Sequence, residues 1–185
     1  MRLRAREAAS TVILEAAEEV ASHRGLEATS TAAIAERAGV AVGTLYNYFP
    51  DRDALIAALF KYRRDELVPR IVAAAADTKH LPFEARLRAY IAAVARVFDA
   101  FRPFCRVAIS SEFSKIRGKS LVMQAVTDEL TEILRPALRS KAEEYALMIF
   151  GSLKALMQFR FERDEAFEPS SGLIVDTFLQ GMAAR

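Results

Sequence analysis

Between Thr31 and Phe49 the chain reads Thr-Ala-Ala-Ile-Ala-Glu-Arg-Ala-Gly-Val-Ala-Val-Gly-Thr-Leu-Tyr-Asn-Tyr-Phe. Its hydroxyl and amide side chains are groups that hydrogen-bond to phosphate oxygens and to base edges. The spacing predicts two helices, Thr31 to Arg37 and about Val42 to Tyr48, each too short to be stable alone. Ser30 is the expected N-cap of the first, and Gly39 supplies a turn conformation that a side chain would oppose. Ile34, Ala38, Val40, Leu45 and Phe49 form a small expected core, with Ala35 small enough for the helices to cross closely. Such a pair is a helix-turn-helix, whose second helix enters a major groove. The face opposite Leu45 and Phe49 then carries Val42, Gly43, Thr44, Tyr46, Asn47 and Tyr48. The alternative for this pattern is a helical corner with a purely structural role.

The stretches Ile34-Ala35-Glu36-Arg37-Ala38-Gly39-Val40 and Gly43-Thr44-Leu45-Tyr46-Asn47-Tyr48-Phe49, followed by Asp51-Arg52-Asp53-Ala54-Leu55, resemble the TetR (tetracycline-repressor) family of bacterial transcription regulators. The resemblance covers about Arg6 to Phe60. It implies phosphate contacts from Thr31, Thr44, Tyr46, Tyr48 and Arg52, and base-edge contacts near Val42, Gly43 and Tyr46. It also implies a homodimer that binds a double-stranded DNA operator, with a helical ligand-binding domain, usually as a repressor released by a small molecule. Ala32 and Ala33 depart from the polar residues common there. Residues 1–49 hold five arginines against six glutamates, so DNA binding must rest on local geometry, with Arg52 and an arm of Arg2, Arg4 and Arg6 as positive charge.

The elements that must position this segment read as helix almost throughout, because alanine, leucine, arginine and glutamate dominate and no hairpin pattern occurs. The expected fold is all-α: an N-terminal three-helix helix-turn-helix domain over 1–50, then a helical ligand-binding and dimerisation bundle over 51–185. Nine helices are expected. The first spans Arg6 to His23, ending at Gly25. A fourth is capped by Asp51 and runs to about Leu67, where Pro69 should kink or break it. Phe83 to Phe101 follows, then Pro103 to about Ile116, ended by Gly118. Leu121 to Leu134 stops before Pro136. Ser140 with Glu143 is a capping box opening a helix to about Arg163, and the last helix spans Ser171 to Ala183.

The second region is rich in aromatic and sulfur-bearing side chains. Tyr90, Phe98, Phe101, Phe104, Cys105, Phe113, Met123, Met148 and Met157 are candidates to line an apolar effector pocket, ordinary core packing being the alternative for each. Cys105, between Arg102 and Arg106, is a candidate redox switch or an inert buried thiol. Gly151, Ser152, Ala155, Phe159, Phe178 and Gly181 are candidates for a dimer interface, since small residues on apolar helices permit close approach and two helices per subunit make a four-helix bundle.

The composition narrows the remaining classes. With 26 basic and 24 acidic residues the formal charge is +2, which by itself points to no nucleic-acid partner. A single cysteine excludes an intrachain disulfide and any multi-cysteine metal site, and no metal or cofactor is expected. The apolar runs fall well short of the roughly 20 residues that span a bilayer, and the start is not read as a signal peptide. No phosphate-cradling loop, His-Glu-x-x-His or nucleophile elbow argues for catalysis. The expectation is therefore a cytoplasmic, non-enzymatic repressor released from a palindromic operator by a small apolar or amphipathic ligand. The alternatives are a regulator under redox or protein-partner control, and a helical enzyme or carrier.

Overall fold

The computed structural model describes residues 2–110 and 121–183. In chain order its helices are α1 (Arg2–Arg24), α2 (Thr31–Ala38), α3 (Val42–Tyr46), α4 (Arg52–Asp77), α5 (Phe83–Ala100), α6 (Arg102–Ser110), α7 (Leu121–Leu138), a 3-10 turn (Arg139–Lys141), α8 (Ala142–Phe161) and α9 (Glu168–Ala183). The regular structure of the described residues is thus entirely helical, as the residue types dictate. The expected helix end near Ile116 and Gly118 lies outside the described residues.

Three punctuation signals did not act as the sequence suggests. Helix α4 runs unbroken through Pro69, and α7 runs two residues past Pro136. Each proline removes one backbone donor, but both rings are exposed. Leu67, Ile71, Ala74 and Ala75 hold one buried face on either side of Pro69, and their packing offsets the lost bond. Ser140 forms no capping bond. It lies in the 3-10 turn, and the next helix starts from Lys141 without a side-chain cap. At the other end α9 starts at Glu168, earlier than Ser171, with Pro169 in its first turn, where a missing N–H costs nothing.

The chain forms two compact units, Met1–Asp65 with Pro103–Phe113, and Glu66–Arg102 with Ser114–Arg185. Helix α4 contributes residues to both. In the first unit Ile13, Leu14, Ala16 and Ala17 of α1, Ile34 and Ala35 of α2, Leu45 and Phe49 around α3, and Leu55, Ile56 and Leu59 of α4 form one core. An ion pair between Glu18 and Arg63, both largely buried, joins α1 to α4. Phe60 and Phe104 meet edge to face with ring centroids 5.2 Å apart.

In the second unit α8 lies along α7 and α9 lies on α5. The entry to α9 is fixed from α5. The carboxylate of Asp99 accepts from the backbone N–H of Phe167 at 2.8 Å and of Glu168 at 2.8 Å. These donors open a helix and have no intrahelical partner, so the carboxylate satisfies them and complements the helix dipole. Arg102 stands 3.6 Å from Asp99 and 3.4 Å from Asp164, tying the α8–α9 loop to the same point. Loss of this cap should lower stability by about 2 kcal/mol in Asp99→Ala, while Asp99→Asn, which keeps an acceptor, should recover most of it. Urea unfolding of both variants measures the difference.

Candidate nucleic-acid interface

The helix-turn-helix is assembled by capping and burial working together. Ser30 accepts a bond from the Ala33 N–H at 3.2 Å and so starts α2. Gly39 ends α2 with φ of +68°, a left-handed conformation costly for a side-chain-bearing residue. The Val40 N–H then bonds back to the Ala35 carbonyl at 3.0 Å, closing the turn. Helix α3 has only five residues, ending at Tyr46 rather than Tyr48. Tyr48 and Phe49 continue on turn-type bonds to the Leu45 carbonyl, both at 3.0 Å. Leu45 and Ile34 are fully buried, and Phe49 is nearly so.

Burying Leu45 turns the other side of α3 outward. Val42 is 40% and Tyr46 47% exposed, large values for such side chains, and Gly43 and Asn47 are also exposed. Thr31, Thr44 and Tyr48 are half-buried. The hydroxyls of Thr31 and Tyr46 lie 3.3 Å apart, which links the start of α2 to α3. The Arg6 guanidinium stands 5.8 Å from the centre of the Tyr48 ring, bringing a positive charge from α1 to this face. Open space surrounds the position a side chain would take at Gly43, so a flat surface can approach the backbone there.

Arg52 has a role that the sequence does not reveal. Its Nε–H donates to the Thr29 carbonyl at 2.9 Å, and a terminal nitrogen donates to the carbonyl of Leu26. The side chain therefore braces the loop before α2 from the start of α4, where Asp51 caps through the Ala54 N–H at 2.7 Å. Thr29 is itself buried and bonds the Gly25 carbonyl at 2.8 Å. No residue pattern announces such a bond, because its acceptors are backbone atoms of a loop.

The expected effector residues fall in both units. Tyr90, Phe98, Phe101 and Met157 are buried in the second unit, whereas Phe104 and Cys105 are buried in the first. Met123 is half-buried and lines an open groove of about 300 Å³ with Gln124, Thr127, Asp128, Glu143 and Leu147. Met148 is corrected to the surface. It is 57% exposed, because Ala142, Ala146, Ile149, Leu153 and Met157 take the inner face of α8 and turn it outward. Phe113 lies outside the described residues.

Of the expected interface residues, Gly151, Ala155 and Phe159 are exposed on α8 and Gly181 on α9. Leu147, Met148 and Leu173 are exposed apolar residues of the same two helices. Ser152 is half-buried and returns its hydroxyl to the Met148 carbonyl at 3.0 Å. Phe178 packs edge to face on Tyr145 with centroids 6.2 Å apart.

Known proteins resemble this chain in its N-terminal sequence and in its fold. Residues 13–59 match the model of bacterial regulatory proteins, tetR family. The fatty acid metabolism regulator protein of Bacillus subtilis is 36% identical over 59 residues, which are 32% of this chain and 30% of that protein. The HTH-type transcriptional repressor KstR of Mycolicibacterium smegmatis is 52% identical over 46 residues, 25% of this chain and 22% of KstR. Both matches span less than a third of the relative's length. The crystal structure of the transcriptional regulator FadR from Bacillus subtilis in complex with stearoyl-CoA shares the fold, with a TM-score of 0.72 and 21% identity over 90% of this chain and 95% of that one. Over residues 13–59, the segment that holds the helix-turn-helix, the chain is thus similar to the TetR family of bacterial regulatory proteins.

Proposed function

We propose that this chain is a DNA-binding transcriptional repressor that acts as a homodimer on a palindromic operator and leaves it on binding a small apolar or amphipathic ligand. The observation that carries DNA binding is the outward face of α3, where Val42, Tyr46 and Asn47 are exposed while Leu45 is buried beneath them. An exposed tyrosine and valine on a five-residue helix add nothing to the core, and both suit a groove edge. Thr31, Thr44, Tyr46 and Tyr48 supply phosphate-directed hydroxyls, with Arg6 beside them. Arg52 supports the start of α2 from behind.

Two copies are favoured by the apolar groups that α8 and α9 leave exposed, since Leu147, Met148, Phe159 and Leu173 lie on two helices of one unit. Pairing them with a second copy buries that surface in a four-helix arrangement. Within the second unit, buried aromatic and methionine side chains suit an apolar effector. The stearoyl-CoA complex of the similar fold makes an acyl thioester the first ligand to test. Helix α4, shared by both units, is the element through which an effector would change DNA affinity, and linkage then requires DNA to weaken the effector by the same factor.

In Tyr46→Ala, operator affinity should fall about tenfold or more, with melting unchanged within a few degrees because the side chain is half exposed. Fluorescence anisotropy on duplexes from the DNA flanking its own gene measures this, and full-strength binding by the folded variant would remove Tyr46 from the interface.

The homodimer is tested by Gly151→Leu. Gly151 is exposed and a Cβ placed there meets nothing within 4 Å in the single chain, so the change is expected to leave the fold intact and to be felt by a partner. Sedimentation should show a wild-type dimer and a folded variant shifted towards monomer. A monomeric wild type at micromolar concentration would contradict the dimer.

A further inference from the structure

Tyr90 is fully buried on α5, and its hydroxyl makes no hydrogen bond among the described residues. One turn earlier the Nε–H of Arg86 is also buried and also unbonded. Residues four apart share a helix face, and a long side chain leans towards the helix N-terminus, so the Tyr90 ring reaches back over the turn that carries Arg86. Both residues belong to the second unit. Buried donors without partners are rare in native interiors, and here two stand within one helical turn. A guanidinium can only donate and a phenol donates readily, so what the pair lacks is an acceptor.

The surroundings narrow the acceptor's chemistry. Leu87, Ile91 and Val94 on α5, and Val126 and Leu130 on α7, are buried, so the helices that pack here present apolar walls. Burial, and then the negative charge of Glu129 on α7, push the Tyr90 phenol well above its ordinary pKa, so it stays a neutral donor at every physiological pH. The charge of Glu129 also opposes a second negative charge beside the phenol. A neutral oxygen on an apolar body satisfies both donors without adding charge.

We propose that Tyr90 and Arg86 form the polar anchor of an effector site in the second unit, donating to the neutral carbonyl oxygen of an acyl thioester or ketone. This rests on the effector reading above and names the ligand's recognised group. The acyl chain lies along the apolar faces of α5 and α7, and the carbonyl stands at the Tyr90 hydroxyl.

The test compares dodecanoyl-CoA with S-dodecyl-CoA, a thioether that lacks the carbonyl oxygen, and with dodecanoate, by calorimetry on the full chain and on Tyr90→Phe. The wild type should bind the thioester about tenfold more tightly than the thioether, and Tyr90→Phe should bind the two nearly equally. The unliganded Tyr90→Phe protein should melt at the same temperature as the wild type or higher, because its lost hydroxyl had no partner. A thioester preference that survives in Tyr90→Phe overturns the proposal, as does tighter binding of dodecanoate than of the thioester. A lower melting temperature for unliganded Tyr90→Phe also overturns it, because the hydroxyl would then already be satisfied. If the wild type binds none of the three ligands, the acyl effector reading itself fails, a result separate from binding that ignores Tyr90.

Discussion

The burial of Leu45 is the constraint on which the first unit depends. A helix of five residues has no stability of its own, and α3 exists because Leu45 locks it onto Ile34, Ala35 and the inner faces of α1 and α4. Removing such a side chain costs about 2–5 kcal/mol, a large fraction of the 5–15 kcal/mol that a domain has. With Leu45 inside, the period of the helix leaves Val42 and Tyr46 no position except outside. Core and outward face are therefore two consequences of one packing decision, bounded by the caps at Ser30 and Gly39.

The electrostatics follow a different logic from the composition. The first unit does not present its arginines as a uniformly positive surface. Arg37 pairs with Glu19, Arg63 with Glu18 and Arg64 with Asp65. Arg52 spends donors on loop carbonyls. Much of this cationic charge serves the frame that holds the helices. On the proposed reading, affinity for DNA comes from a few well-placed hydroxyls and amides, backed by Arg6 beside Tyr48, and its salt dependence should be correspondingly shallow.

The sequence discloses features set by local rules. Ser30, Gly39 and Asp51 cap where their types suggest, and the core of the helix-turn-helix follows from apolar spacing alone. Features set by distant partners were not legible. Pro69 and Pro136 remain inside helices because packing of the flanking residues outweighs one missing bond. Asp99 and Arg52 act on backbone atoms far along the chain, and no spacing encodes such a contact. Met148 is a pocket candidate by its residue type and its apolar run, yet Ala142, Ala146, Ile149, Leu153 and Met157 take the inner face of α8 and leave it exposed. An apolar run on a helix identifies burial only once the partners on each side are known.

The claim that the outward face of α3 meets DNA is tested most directly by mapping amide chemical shifts of the isotope-labelled chain as an operator duplex is added. The account predicts that the largest changes fall at Thr31 and from Val42 to Tyr48, with the buried positions of α5 and α7 unmoved. Changes confined to the second unit, with the amides of α3 unaffected at saturation, would contradict it.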